Sequence, residues 1–296
     1  GRMKSKSVIF PLEPLYKKKG IGYKQAKVVS FHPEGDATEL KGFVKIEYVF
    51  GESLGLQEKV NYDFLINATG PKLAFDLTEG MSPGTNKAYS VCTYDHAEHA
   101  WAGLKKLIEK VKSTGEYAKI LIGTGHPKAT CQGAAFEYIL NVEKELVKFG
   151  IRDKVEVIWI SNENELGDFG MDGMLLDYGG TIMKSSEMVE MVFADRGIKW
   201  ILGAGVSKIE EGLVHYENLE GEYKTETFDF AMLIPAFSGH GFKAYDKAEE
   251  DITPKLFTGF MLVDADYTAK PYEEWTVQDW PETYQNPNYA NIFALE

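Results

Sequence analysis

The chain has 296 residues, 44% of them hydrophobic and 26% charged, enough apolar material for two packed domains and too much for a disordered chain. A net charge of −13 with no Lys/Arg stripe excludes a nucleic-acid binder, which needs a basic footprint on phosphates. Two cysteines, Cys92 and Cys131, exclude a disulfide scaffold, and no apolar run approaches the roughly 20 residues of a membrane span. A soluble chain is expected.

Lys17-Lys18-Lys19 reads as a solvated turn before Gly20. Tyr23–Phe31 and Val44–Gly51 alternate and read as strands, and Asp63–Ala68 as a buried strand ending in the loop Thr69-Gly70-Pro71. From His96 the pattern changes. Helices are predicted over His96–Val111, Gly133–Lys148 and Ile182–Arg196, with strands at Lys119–Gly123, Val155–Ser161 and Trp200–Gly203. Strand-helix alternation of this kind implies a parallel sheet with right-handed crossovers. Strands follow at Val206–Glu210, Leu213–Glu217, Thr225–Phe228, Met232–Ile234 and Phe260–Val263, then a long loop from Tyr272 to Asn288.

A dinucleotide site needs G-x-G-x-x-G between a strand and a helix, because the glycines let backbone approach pyrophosphate. Gly20-Ile-Gly22 and Gly203-Ala-Gly205 both precede strands and carry no such site. Gly123-Thr-Gly125 is correctly placed, but Lys128 fills the third glycine slot and the loop runs on to Cys131. The shape of the motif survives with a cysteine in place of its contents.

Six stretches carry a family resemblance. They are Ala68-Thr-Gly-Pro-Lys-Leu-Ala-Phe75, Ser90-Val-Cys-Thr-Tyr-Asp-His-Ala-Glu98, Ala129-Thr-Cys-Gln-Gly-Ala-Ala-Phe-Glu-Tyr138, Met232-Leu-Ile-Pro-Ala-Phe237, Gly259-Phe-Met-Leu-Val-Asp264 and Tyr289-Ala-Asn-Ile-Phe-Ala294. In this order they resemble the sulfide:quinone oxidoreductases, flavoproteins of the two-dinucleotide-domain (pyridine nucleotide-disulfide oxidoreductase) class. The resemblance implies an α/β fold of two Rossmann-like, three-layer domains. Residues 1–95 and 236–296 are expected to form an incomplete, discontinuous FAD-binding domain, and residues 96–235 a second unit carrying the redox cysteine. The implied activity is FAD-dependent oxidation of sulfide to polysulfide or sulfur through a cysteine persulfide, with quinone as electron acceptor. The resemblance also implies a parent enzyme on the cytoplasmic side or peripheral to the membrane, and allows a homo-oligomer.

Both ends read as cut: Gly1-Arg2-Met3 lacks an initiator Met, and Leu295-Glu296 reads as a vector remnant after a strand stopped short, a natural terminus being the other reading. A chain without the glycine-rich flavin loop is expected to hold FAD weakly or not at all, and such a fragment is expected to be inactive by itself. The rival family readings are the flavoprotein subunit of a cytochrome c sulfide dehydrogenase, an NAD-dependent persulfide reductase, which Lys128 argues against, and a folded module without activity.

The resemblance assigns the site residue by residue. Cys131 is the redox cysteine. It stands just before a helix, where N–H groups favour a thiolate, with His126 and Lys128 as nearby positive charge. Its plain structural reading is a small buried hydrophobe. Cys92 matches the cysteine beside the flavin, with core packing as the alternative. Glu137 matches a carboxylate base, or is a surface helix residue. His96 matches a proton-handling histidine, while capping by Asp95 with Glu98 three residues on explains the same tetrapeptide structurally. Thr69, Gly70, Pro71 and Lys72 are expected at the flavin edge. Asp168 departs from the family, standing where some relatives have a second histidine.

Overall fold

The first sheet is built on a meander of three successive strands. In the computed structural model, which describes residues 5–85, 87–171, 173–265, 270–271 and 274–295, strands β1 (Ala26–His32), β2 (Phe43–Tyr48) and β3 (Gln57–Asn61) form an antiparallel meander. Phe31, Val44 and Ile46 point inward to a core shared with Leu256, Phe257 and Ile292. Ahead of them, α1 (Leu12–Lys18) has no buried residue. The Lys17–Lys19 run, expected as a turn, closes this helix, where cations offset the negative end of its dipole.

The short strand β4 (Leu65–Asn67) runs parallel to the last strand of the chain, Tyr289–Ala294, with Ile292 opposite Leu65 and Ala294 opposite Asn67. Contacts divide the molecule into two units. One holds Phe10–Lys72 and Ser238–Glu296, the other Gly1–Ile9 and Leu73–Phe237. Residues 73–95, expected with the flavin-type segment, therefore pack with the cysteine-bearing unit; Tyr89 bridges Met232 in parallel there.

That second unit is built on α2 (Tyr94–Thr114), β5 (Ala118–Thr124), α3 (Gln132–Lys148) and β6 (Val155–Ile160). It continues through the hairpin β7 (Leu175–Tyr178) and β8 (Thr181–Lys184), α4 (Ser185–Asp195) and β9 (Ile198–Ile201). The meander β10 (Gly205–Glu210), β11 (Leu213–Glu217) and β12 (Tyr223–Thr227) leads to β13 (Phe230–Ile234). Strands β9, β6, β5 and β13 form an all-parallel sheet in that order. Such sheets are covered on both faces, which is why β5 and β13 read as continuous apolar runs. One face carries Ile120, Ile122, Val157, Trp159 and Met232 and is covered by Leu104, Ile108, Ala135, Ile139 and Val189 of the three helices. The other carries Leu121, Ile158, Ile160 and Leu233 and packs on Val206, Ile209 and Val214 of the meander. This is a three-layer α/β unit.

Three expectations change. The helix predicted from Ile182 starts at Ser185, because Gly179 (φ 64°) and Gly180 (φ 89°) supply the two positive φ angles of a two-residue hairpin turn, with Tyr178 opposite Thr181. The strand expected over Phe260–Val263 shrinks to Phe260–Met261. Of the predicted loop Tyr272–Asn288, residues 272 and 273 lie outside the described residues, while Gln285–Asn286 pairs with the last strand.

Candidate active site

In open α/β sheets, ligands bind beyond the carboxyl ends of the parallel strands. In the cysteine-bearing unit the loop leaving β5 at that edge is Gly125–Cys131, and it is tied down from several sides. Gly125 N–H donates to the Ile234 carbonyl (2.7 Å), and the Thr78 hydroxyl donates to the Gly125 carbonyl (2.6 Å). Asn162, just past β6, donates through Nδ2 to the carbonyls of Pro127 (2.9 Å) and Ala129 (3.1 Å). Its Oδ1 accepts from Gln132 Nε2 (3.2 Å), which also donates to Ala129 O (3.2 Å). Gln132 is buried, and its Oε1 has no partner among the described residues.

Gly123, at the end of β5, and Gly125, the first residue of the loop, are both consumed by packing. A Cβ on Gly123 would stand 1.7 Å from the Ile160 carbonyl oxygen, and one on Gly125 2.7 Å from Met81 Cε. With the Gly125 N–H already bonded, the loop does not fit a dinucleotide pyrophosphate, which needs open glycines and free N–H donors.

Cys131 is the N-cap residue of α3, half-buried, and its side chain makes no capping bond. An uncapped first turn leaves N–H groups that favour negative charge. His126 adds none at neutral pH: burial, then the Lys128 charge, pushes its imidazole below the usual range, and its Nδ1 accepts the Lys128 N–H (3.0 Å). Lys128 is exposed.

Cys92 is also half-buried and leans on the same helical core as Cys131. Its N–H donates to the hydroxyl of buried Ser90 (3.2 Å), and burial pushes its thiol up. One turn on, His96 lies edge-on to Phe75 with ring centroids 5.6 Å apart, its buried Nδ1 without a partner among the described residues. The capping residue of α2 is Thr93 rather than Asp95: Thr93 Oγ1 accepts from His96 N–H (3.4 Å) and donates to Asp95 (2.5 Å). That bond holds the Asp95 carboxyl below the usual range.

Glu137 is exposed on α3, in a shallow depression with Leu140, Asn141, Glu143, Lys144 and Arg196. Six residues from Cys131, it lies about 240° around the helix. The structure thus places Cys92, Cys131 and His96 at helix starts on the sheet edge and Glu137 on the flank. Asp168 caps a turn, its Oδ1 accepting from Gly170 (2.9 Å) and Met171 (3.1 Å) N–H groups. Beside it sits a residue the sequence did not single out. Glu163 is buried, accepts from the Ser161 hydroxyl (2.7 Å) and the Phe169 N–H (2.6 Å), and has its carboxyl pushed up by burial. It holds Phe169 at φ 54° with its ring against Phe136 of α3. Among the described residues no group of three or more His, Cys, Asp or Glu is placed to hold a metal.

The other unit contains the remaining candidates. Thr69, Gly70, Pro71 and Lys72 leave the carboxyl end of β4, where Thr69 Oγ1 donates to Asn67 Oδ1 (2.9 Å). Gly70 has φ 66°, and no atom lies within 4 Å of where its Cβ would stand. This loop fits the close approach of a flat cofactor edge, but no strand, glycine-rich turn and helix to cradle a pyrophosphate occurs among that unit's described residues. The fit to FAD is therefore partial.

A parallel sheet between a helical layer and an antiparallel meander, with a cysteine on the loop that carries phosphate in dinucleotide domains, has the architecture of a dinucleotide-type α/β domain. No family model matches the chain. The sulfide-quinone reductase of Aquifex aeolicus is 32% identical over 295 residues, all of this chain and 56% of that protein. Its crystal structure superposes with a TM-score of 0.67, covering 96% of this chain and 54% of that one. The mitochondrial sulfide:quinone oxidoreductase of Dictyostelium discoideum is 24% identical over 242 residues, 80% of this chain and 44% of that protein. A water-forming NADH oxidase from Lactobacillus brevis, 14% identical with a TM-score of 0.54, shares the fold alone. The chain spans about half the length of the relatives it matches, and along its whole length it is a relative of the sulfide:quinone oxidoreductases.

Proposed function

We propose that the chain is the central part of an FAD-dependent sulfide:quinone oxidoreductase in which Cys131 carries the sulfur taken from sulfide. The observation that supports this most is the position of Cys131: half-exposed, at the uncapped start of a 17-residue helix, on a loop braced by Thr78, Asn162 and Gln132. A cysteine kept only for packing does not call for three bracing side chains around its loop.

Net chemistry follows from that placement. Sulfide and the Cys131 thiolate join through a new S–S bond; two electrons and one proton leave, and Cys131 bears a persulfide. FAD, when bound, supplies the two-electron acceptor between sulfur and quinone. Thr69–Lys72 are the residues of this chain that would lie at its edge. The first turn of α3 stabilises the anionic sulfur. The resemblance gives His96 the role of moving a proton, and its buried Nδ1, unpartnered among the described residues, is free for it; Glu137, on the flank, would act there only through solvent. Among the described residues no helix is long and apolar enough to cross a membrane. Quinone dissolves in the bilayer, so the proposal puts the protein at a membrane surface. The relatives matched are quinone reductases, which favours quinone over a cytochrome as acceptor.

The test is sulfide-dependent reduction of a short-chain quinone by the protein containing this chain. Cys131→Ser abolishes it, while flavin content, read by absorbance, stays unchanged. Full activity in Cys131→Ser would sink the assignment.

A further inference from the structure

We propose that Cys92 is a second sulfur-carrying residue, which takes the sulfane sulfur from the Cys131 persulfide. The proposal rests on the reading of Cys131 given above and extends it. The sequence resemblance places Cys92 beside a cofactor; the fold sets it over the same sheet edge as Cys131.

Sheet register carries the argument. Tyr89 bridges Met232 of β13 in parallel, and Met232 is opposite Ile122 of β5. The segment at Tyr89 and strand β5 therefore flank β13, about 10 Å apart at that level. Cys92 stands three residues past Tyr89 in the same direction, and Cys131 on the loop past Thr124. Both lie over one sheet edge, and each begins one of two helices, α2 and α3, that cover the same sheet face. Both thiols are free, both are half-buried, and both rest on that common core. Burial, with a smaller contribution from Cys131, pushes the Cys92 thiol up.

The step balances without an added oxidant. The Cys92 thiolate attacks the outer sulfur of Cys131–S–SH; the S–S bond to Cys131 breaks, a new one to Cys92 forms, and Cys131 leaves as thiolate. The proton lost by Cys92 goes to solvent, and no electrons are gained or lost overall. Leaving-group chemistry sets the direction. A thiol whose acidity is weakened by burial is a poor leaving group, so sulfur that reaches Cys92 stays there longer. The Ser90 hydroxyl, buried and bonded to the Cys92 N–H, fixes that loop for the exchange. Transfer frees Cys131 for a second sulfide.

The experiment adds one equivalent of sodium tetrasulfide to the protein, quenches with iodoacetamide at intervals, and maps the extra sulfur by peptide mass. The wild-type protein labels first at Cys131 and then at Cys92. In Cys131→Ser and Cys131→Ala, labelling of Cys92 slows by about tenfold or more, the loss expected when an intramolecular thiol exchange becomes bimolecular. In Cys92→Ser, the label stays on Cys131. Equal Cys92 labelling with and without Cys131 overturns the relay, as does label that never leaves Cys131 in the wild type; either result leaves the Cys131 assignment standing. Absence of label at Cys131 in every variant removes both readings.

Discussion

Asn162→Ala tests whether the Cys131 loop is held by the network described above. The substitution removes three hydrogen bonds, to Pro127 O, Ala129 O and Gln132 Nε2. The Pro127 carbonyl is exposed and is rehydrated, while Ala129 O keeps its bond from Gln132. Two part-buried bonds then decide the cost, at about 0.5–1.5 kcal/mol each, so a loss of about 2 kcal/mol is expected. With a urea slope of about 2 kcal/mol/M for a unit of this size, the midpoint falls by about 1 M. The assay is urea unfolding followed by tryptophan fluorescence, which reports this unit through Trp101, Trp159 and Trp200. Asn162→Asp sharpens it: a carboxylate facing two carbonyls loses both donors and should be at least as unstable as alanine. A loss below about 0.5 kcal/mol for Ala, or wild-type stability for Asp, would refute the bracing argument.

Glu163, with its folded carboxyl raised above 4.5, contributes stability that is full below pH 4.5 and lost as pH rises through the folded value; Glu163→Gln should flatten that part of the urea midpoint against pH, and parallel profiles would count against it. His32 behaves in the opposite sense. Burial lowers it from 6.5, so its unit loses stability as pH falls below 6.5, and His32→Gln should remove that loss. If the acid limb is unchanged in His32→Gln, another group is responsible. Gly123→Ala forces a Cβ onto the Ile160 carbonyl, a backbone atom with no room to move, and should cost about 3 kcal/mol in urea unfolding, the upper end for overpacking. A soluble, equally stable variant would show that the β5–β6 spacing is looser than described.

Sequence by itself determined the elements whose cause is local. The apolar runs of β5 and β6 and the 3.6-residue periodicity of α2 and α3 made the alternating parallel unit readable, because burial on one face or two leaves its mark residue by residue. Motif order around Cys92 and Cys131 carried the family resemblance, which the whole-length match to the Aquifex protein bears out. Gly179-Gly180 carries a hairpin signal that the helix expected from Ile182 left out of account. The sequence reading set Asp95 at the α2 cap, and the backbone geometry gives that place to Thr93. Tertiary structure alone decided the rest. Which carbonyls Asn162 reaches depends on β6 lying beside β5, and the closing of the Gly123–Gly125 loop depends on Ile160 and Met81, 37 and 44 residues away in sequence. That the segments leading to Cys92 and Cys131 flank one strand depends on β13, more than 90 residues further along, pairing with both. Hydrophobic periodicity records whether a residue is buried; strand order, which sums weak contacts over the whole sheet, decides what it is buried against.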